Sequence, residues 1–245
     1  TYFSLSKILW LLRNVNDVQQ AKLDNDLCFG TIDSWLIYKF TGNHVTDVTN
    51  ASRTLLMDLN SLTWLDSVIK LLDIPKNALP AIKPSLFSYG TNKKILKNVP
   101  ITAVLGDQQA SLFGHNCISI GDVKNTYGTG CFALTNTGSE IVNSNNGLLS
   151  TVAYQQEGSK PQYALEGSVS IAGAAVQWLR DNLNIIKDSS EVESLAMSVK
   201  DNGDVYFVPA FSGLFSPHWD ETARGVLVGL SRFSNKSHIT RAVLE

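Results

Sequence analysis

Apolar residues recur every three to four positions in several stretches of the chain, and this spacing predicts amphipathic helices. The clearest stretch is residues 6–23, where one helix face would carry apolar residues at 8, 9, 11, 12, 15, 18 and 21. Trp10 lies within this stretch, and we expect it to pack in the core. Similar patterns predict helices at 31–40, 64–72, 169–183 and 191–200, and the start of another at 238–245.

Short runs of β-branched and apolar residues lie between these helices and predict strands. Residues 101–105, ITAVL, form an apolar run that we expect to be a buried strand ending at Gly106. Further strands are predicted at 27–30, within 44–60, and at 122–135, 148–165, 205–208 and 224–230. The alternation of strands and helices indicates an α/β protein. The pattern changes after Gly114, which predicts two domains meeting near residues 101–132, with a small-molecule site between them.

The residues that follow the predicted strand 101–105 are candidates for chemistry. Asp107 comes directly after Gly106 and begins an apolar-periodic segment. Ligands in α/β proteins gather at the carboxyl ends of strands, so this carboxylate could act as a base. The alternative is that Asp107 only caps the helix.

A glycine-rich segment, NTYGTG at residues 125–130, could approach a bound anion through its backbone. The alternative is a simple hairpin turn. The small residues at 172–175 would likewise admit either a ligand or a closely packed backbone. Arg53 could contact an anion or be solvated or salt-bridged, and the Tyr2 hydroxyl could point into a cleft or only anchor a helix start. One carboxylate and one phosphate-sized loop together suggest phosphoryl transfer to a hydroxyl.

Composition narrows the class of protein. With 245 residues, 44% of them hydrophobic and 17% charged, the chain can form one large or two smaller soluble globular domains. A net charge of −2 argues against a nucleic-acid partner, and no apolar run reaches the ~18 residues of a transmembrane segment. Three cysteines without C-x-x-C spacing argue against disulfides and metal sites and fit the cytoplasm. Because the chain begins without Met and ends within a helical pattern, we expect it to be a segment of a longer protein.

Several blocks of the sequence carry a likeness to a known family. Residues 2–11, YFSLSKILWL, resemble the first signature segment of the FGGY carbohydrate kinases. Residues 225–245 resemble the second, with Gly229, His238 and Ala242 at the matching spacing. Between them, collinear blocks resemble the family members that act on glycerol: FGTIDSWLIYKFTG, VTNASRT, GDQQA, KNTYGTGCF, YALEGSV, QWLRDN and VPAFSG.

The resemblance implies an actin-like ATPase fold, related to ribonuclease H, with two lobes around a cleft and both lobes incomplete here. Residues 1–114 would be the C-terminal part of the first, substrate-side domain. Residues 115–245 would be the N-terminal part of the second, nucleotide-side domain. The implied reaction is phosphorylation of glycerol by ATP with Mg²⁺, in an enzyme that is a homo-oligomer as a whole.

The resemblance also implies roles for individual residues. Tyr2, Asp107 and Gln108 match positions that bind glycerol hydroxyls, and Phe132 matches an aromatic residue packed against the glycerol carbons. Asp107 also matches the general base and could contact the metal indirectly. The nucleotide positions are matched by Thr129, Gly173 and Gln177.

Two features of the family are missing from this chain. The family's first phosphate-binding hairpin, an Arg-Glu pair on glycerol and the later adenosine loop lie outside this chain, so we expect the segment alone to be inactive. Residues 92–98 lack the glycine-rich, arginine-bearing loop with which bacterial members bind fructose bisphosphate. A kinase for another polyol or a ketose and a non-catalytic nucleotide-binding relative remain as alternatives.

Overall fold

The computed structural model describes residues 2–92 and 98–245. Residues 92–98, which lack the glycine-rich, arginine-bearing loop of bacterial members, therefore lie mostly outside the described ranges. Helices and strands are distributed along the whole of these ranges, which makes the protein mixed α/β.

The first predicted helix is divided in two, α1 (Leu5–Asn14) and α2 (Asn16–Leu23), because Val15 is extended. Side-chain amides end α1: Asn14 donates to the Trp10 carbonyl, and Gln19 donates to the carbonyls of Leu12 and Arg13. The expectation that Trp10 packs in the core is wrong, since its side chain is 59% exposed. Ile8 is buried instead, and Trp10, two residues further along the helix, faces about 200° away from it.

The remaining predicted helices are present, with bounds shifted by a few residues. They are α3 (Ile32–Thr41), α5 (Asp66–Leu71), α7 (Gly173–Asp181), α8 (Glu191–Met197) and α9 (Lys236–Leu244). A short helix, α4 (Val48–Ala51), lies within the segment expected to be loop and strand, and α6 (Asp107–Gly114) follows the predicted strand 101–105.

The strands form several small sheets. Parallel pairing joins β1 (Val45–Asp47) to β4 (Ala81–Lys83). Antiparallel pairs are formed by β2 (Met57–Asp58) with β3 (Thr63–Trp64), by β5 (Leu86–Thr91) with β6 (Pro100–Ala103), and by β11 (Tyr206–Val208) with β12 (Val226–Val228). A four-stranded sheet has the order β7-β8-β10-β9, from Val123–Tyr127, Cys131–Gly138, Gln162–Val169 and Leu149–Tyr154 respectively.

The strand predicted at 101–105 is present as β6, but the expectation that it is buried is wrong. Of residues 101–105 only Val104 is buried, and it follows the end of the strand. The physical reason is that β6 pairs with β5 alone in the described part of the chain, so its other edge and much of its surface stay exposed.

The chain divides into two compact units. The first unit comprises the described residues up to Lys124 together with Leu134–Ser144 and Leu149–Glu166. The second unit comprises Asn125–Ala133, Asn145–Leu148 and Gly167–Glu245. The division falls inside strands β7, β8 and β10, so these strands contribute residues to both units.

Each unit has its own core. In the first unit, Leu112 and Cys117 pack with Leu134, Ala153 and Ala164 from the four-stranded sheet. In the second unit, the rings of Trp178 and Phe207 stack with centroids 5.3 Å apart, and Leu179 and Val205 are fully buried.

Candidate active site

Asp107 is the first residue of α6 and lies in the first unit. The N-cap position is occupied by Gly106, with no capping hydrogen bond from a side chain, so the alternative that Asp107 caps the helix is wrong. The Gly106 amide donates to Thr49 Oγ1 at 2.8 Å, and this contact fixes the turn before Asp107. The Asp107 carboxylate is exposed and forms no salt bridge with any residue that the structure describes. It is therefore accessible to a reactant.

Gln108 is held between Asp107 and a buried lysine. Its side-chain amide donates to Asp107 Oδ2 at 3.2 Å, while its Oε1 accepts a hydrogen bond from Lys124 Nζ. Lys124 is only 4% exposed, and this burial lowers the pKa of its amine, while the nearby carboxylates of Glu166 and Asp107 act in the opposite direction. Lys124 thus fixes which end of the Gln108 amide faces Asp107.

The Tyr2 hydroxyl contacts a buried ion pair. Arg53 Nη2 donates to the Tyr2 oxygen at 2.8 Å, and the Tyr2 hydroxyl donates to Glu166 Oε1. Arg53 and Glu166 are joined by two N···O distances of 2.8 Å, which confirms the alternative that Arg53 is salt-bridged. The Glu166 side chain is fully buried. The first unit therefore carries a fixed polar cluster beside Tyr2.

Tyr2 also lines a cavity of about 380 Å³ in the first unit. The other lining residues are mostly apolar, among them Ile8, Leu11 and Phe29, and Asp107 is not one of them. We therefore do not identify this cavity with a polyol site, since a polyol needs several directional hydrogen bonds.

Burial raises the pKa of Tyr2 to about 12. The folded protein therefore keeps the phenol proton at pH values where the unfolded chain has lost it, above about 10. We expect the free energy of unfolding to fall as the pH rises from about 10 to about 12, and to fall less steeply in Tyr2→Phe. Urea unfolding of both proteins at a series of pH values would measure this, and equal slopes would contradict the assignment.

The glycine-rich segment lies in the second unit and packs against the start of α7. Residues 128–130 form the turn between β7 and β8, as the hairpin alternative predicts. The Thr129 carbonyl accepts hydrogen bonds from the amides of Ala172 and Ala174, at 2.8 and 3.2 Å, and the Gly128 carbonyl accepts one from Gly173 at 2.9 Å. A Cβ at Gly173 would lie 2.7 Å from the Gly128 oxygen, which confirms close backbone packing at 172–175.

The structure thus brings Thr129 and Gly173 together in the second unit. Gln177 lies one helical turn beyond Gly173 on α7, so the two share a helix face. Thr129, Gly173 and Gln177 are exposed, and Phe132 lies half-buried on β8. Tyr2, Asp107 and Gln108 belong to the first unit, so the candidate residues are divided between the two units.

Two buried charged residues, Glu166 and Lys124, are not among the site residues predicted from the sequence. Glu166 lies on β10, where residues 164–168 alternate between buried and half-buried, and Lys124 is the one buried residue of β7. Burying a charged residue on the inward face of a strand costs free energy unless the charge is paired, so each of these residues implies a partner elsewhere in the chain. Reading the strand alternation for buried charges is the signal that would have found them.

Two broader observations concern the described residues. No group of three or more His, Cys, Asp and Glu side chains within them could hold a metal ion. No helix within residues 2–92 and 98–245 combines the length and the apolar character that crossing a bilayer requires.

Family models match nearly the whole chain. The N-terminal domain of the FGGY family of carbohydrate kinases matches residues 1–114, and the C-terminal domain of the same family matches residues 123–245.

Curated relatives are similar over the same length. A glycerol kinase from Brucella anthropi is 57% identical over 251 aligned positions, which cover 100% of this chain and 50% of the relative. A glycerol kinase from Methylobacterium radiotolerans is 55% identical with the same coverage. The chain therefore spans about half the length of the curated relatives it matches.

Solved structures agree with the sequence relatives. Plasmodium falciparum glycerol kinase with ADP superposes with a TM-score of 0.84 at 42% identity, covering 99% of this chain and 49% of that one. A gluconate kinase from Lactobacillus acidophilus superposes with a TM-score of 0.80 at 26% identity, covering 98% of this chain and 49% of that one.

Proposed function

Because the chain belongs to the FGGY family of carbohydrate kinases, we propose that the full-length protein transfers the γ-phosphoryl group of ATP to glycerol. The product would be sn-glycerol 3-phosphate. The observation that carries the proposal is the identity of 57% to a glycerol kinase across the whole of this chain.

Asp107 is the general base in this proposal. Phosphoryl transfer needs in-line positioning of the attacking oxygen and neutralisation of charge more than covalent help. Asp107 would accept the proton of the attacking hydroxyl as its oxygen approaches the γ-phosphorus. Its exposure, its lack of a salt bridge among the described residues and the hydrogen bond that holds Gly106 support this role.

The glycerol-binding residues would be Tyr2, Asp107, Gln108 and Phe132. A polyol is recognised by directional hydrogen bonds, and a site built to satisfy them discriminates strongly against a missing hydroxyl. Tyr2 and Gln108 are both held by buried charged residues in the first unit, which supports their serving as fixed hydrogen-bonding groups. Phe132 would pack against the carbon chain of the substrate.

The nucleotide would contact Thr129, Gly173 and Gln177, whose shared exposure in the second unit supports this assignment. Bound with ATP, Mg²⁺ would neutralise charge on the phosphates. A lone exposed carboxylate suits Mg²⁺, which keeps several waters and takes phosphate oxygens as its other ligands. The exposed Asp107 would be the residue of this chain that helps to hold the metal, indirectly.

The wider organisation is also proposed. Residues 1–114 would supply the substrate side and 115–245 the nucleotide side of an actin-like ATPase fold whose two lobes surround a cleft. We place the protein in the cytoplasm, which its free cysteines at 28, 117 and 131 support, and we propose a homo-oligomer.

The test is an ADP-formation assay on the full-length protein with glycerol, xylulose and gluconate as acceptors. The expected result is that kcat/KM is highest for glycerol. A preference for a five- or six-carbon substrate would support the alternative of another carbohydrate kinase. Calorimetric binding of ATP and glycerol without turnover would instead support a non-catalytic relative.

A substitution at Gly173 tests the nucleotide side. Gly173→Ala would place a methyl group 2.7 Å from the Gly128 oxygen and displace the segment that carries Thr129. We expect the KM for ATP to rise about tenfold while the KM for glycerol changes little, equivalent to about 1.4 kcal/mol of lost binding.

The matched control is Gly114→Ala, because nothing lies within 4 Å of the added methyl group at Gly114. Both constants should stay near those of the unchanged protein in this control. An unaltered KM for ATP in Gly173→Ala would argue against a nucleotide at this position.

A further inference from the structure

The phenol of Tyr2 is held in the first unit by two charged side chains, Arg53 and Glu166, and we call these three residues the Tyr2 cluster. Glu166 is fully buried on β10, and 18% of the Arg53 side chain is exposed. The Arg53 guanidinium also lies over the rings of Phe3 and Tyr2, with its central carbon 4.4 and 5.4 Å from the two centroids. Ion pairing and ring contacts together restrict the guanidinium to one orientation.

The chemistry of the two charged groups determines the direction of each hydrogen bond. A guanidinium can only donate, and an ionised carboxylate can only accept. The phenol proton of Tyr2 is therefore directed to Glu166, and one lone pair of its oxygen accepts from Arg53 at 2.8 Å. Any further hydrogen bond to this oxygen has to be donated to it.

The burial of Glu166 indicates why this arrangement would persist. Placing a carboxylate where no water reaches it is costly unless it is paired and hydrogen-bonded. Glu166 makes contacts with both nitrogens of the Arg53 fork and with the Tyr2 hydroxyl. Rotation of the Tyr2 hydroxyl away from Glu166 would remove one of these contacts, so the phenol proton is held in a single direction.

We propose that Glu166 and Arg53 are positioning residues that make Tyr2 a hydrogen-bond acceptor for a hydroxyl of the bound polyol. The inference rests on the proposed function, since it names how one glycerol-binding side chain recognises its ligand. The substrate group that Tyr2 recognises is then a hydroxyl that donates its proton, and a carbonyl or ether oxygen in the same place is rejected.

A double-mutant cycle in the full-length protein tests the positioning role. Tyr2→Phe is expected to lower kcat/KM for glycerol about tenfold, through KM, because a hydrogen bond to the substrate is lost. Glu166→Gln is expected to lower it by about five- to tenfold, because the phenol proton is no longer held. If Glu166 acts through Tyr2, the double variant loses at most about twofold more than the worse single variant.

Two controls accompany the cycle. Glu157→Gln changes an exposed carboxylate of the same unit and should leave both KM values unchanged. The KM for ATP should stay constant in every variant of the cycle, which a general loss of structure would not allow. Two results would overturn the inference while leaving the proposed function intact. One is a loss of about 50–100-fold in kcat/KM for glycerol in the double variant, which is the product of the two single losses. The other is unchanged glycerol kinetics in Glu166→Gln.

Substrate analogues test the same inference without altering the ion pair, should Glu166→Gln fail to fold. Each hydroxyl of glycerol that is not phosphorylated is replaced by hydrogen or by fluorine, which cannot donate a hydrogen bond. For one of these hydroxyl positions, the unchanged protein should have a kcat/KM about tenfold lower for both analogues than for glycerol. In Tyr2→Phe, the analogues and glycerol should no longer differ in this way. A fluoro analogue that outperforms the deoxy analogue in a Tyr2-dependent way would overturn the inference. Absence of turnover with glycerol in the unchanged protein would remove the proposed function and this inference together.

Discussion

Asp107→Asn in the full-length protein is expected to lower kcat for glycerol phosphorylation by at least about 100-fold. A positioned general base contributes roughly 10²–10⁴ in rate, and an amide of the same shape cannot accept the proton of the attacking hydroxyl. Because Asp107 is exposed and makes no salt bridge with the described residues, its replacement should leave the fold intact. Steady-state ADP formation and a thermal melting curve measure the two effects separately.

Asp17→Asn is the matched control for Asp107→Asn. Asp17 is an exposed acidic residue in the first turn of α2, as Asp107 is in the first turn of α6. Since Asp17 lies outside the candidate site, its replacement should leave kcat within about twofold of that of the unchanged protein. Surface substitutions of this kind usually have small effects. A near-normal kcat in Asp107→Asn would remove Asp107 as the base.

Asp47→Ala is expected to lower the free energy of unfolding by about 3–5 kcal/mol. The Asp47 carboxylate is fully buried and accepts five hydrogen bonds, from the amides and side chains of Thr49 and Asn50 and from the Ser85 hydroxyl, at 2.6 to 3.0 Å. Truncation to Ala leaves these donors buried without their acceptor, and each unsatisfied donor costs roughly 1–3 kcal/mol before the structure relaxes. Urea unfolding of the full-length protein would measure the loss.

The matched control is Asp58→Ala. Asp58 also accepts hydrogen bonds from residues two and three positions later, but it ends strand β2 and these hydrogen bonds are exposed to solvent. Its removal should change the free energy of unfolding much less, because water replaces the lost acceptor. Equal losses in the two variants would show that burial does not determine the contribution of Asp47.

Asp47 also has a connection to the candidate site. Its carboxylate accepts a hydrogen bond from the Thr49 hydroxyl. The same hydroxyl oxygen accepts a hydrogen bond from the amide of Gly106, the residue before Asp107. The TDVTN segment of the sequence therefore supports the turn on which the candidate base is placed. Any Asp47 variant that folds should for this reason also have a reduced kcat.

Much of the fold is predictable because it depends on local pattern. The helices α3, α7, α8 and α9 follow from apolar spacing, and the glycine-bounded runs predict the strands of the four-stranded sheet. The division of residues 6–23 was not predictable from spacing, since it depends on side-chain amides that satisfy the carbonyls of α1. The apolar composition of residues 101–105 predicted a more buried strand than the structure has. The exposure of this strand depends on which strands pair with β6, and the sequence does not show that.

In the candidate site, too, some features could be predicted from the sequence and others could not. Asp107 could be identified because its position after a strand and before a helix is visible in the sequence. The partners of Arg53 and Gln108 could not be identified, because Glu166 and Lys124 approach them only after strands far along the chain have folded. Contacts between residues 113 positions apart, such as Arg53 with Glu166, leave no periodic signal in either segment.

The unit boundaries within β7, β8 and β10 have a consequence for recombination among relatives. A chimera joined between the two family models, near residues 115–122, would take Leu134, Ala153 and Ala164 from one parent and Leu112 from the other. These residues pack in one core, so the junction would split a set of side chains that have adapted to each other's shapes. Joining parents after Glu166 would keep that core from a single parent, and natural exchange of segments should tolerate crossovers there better.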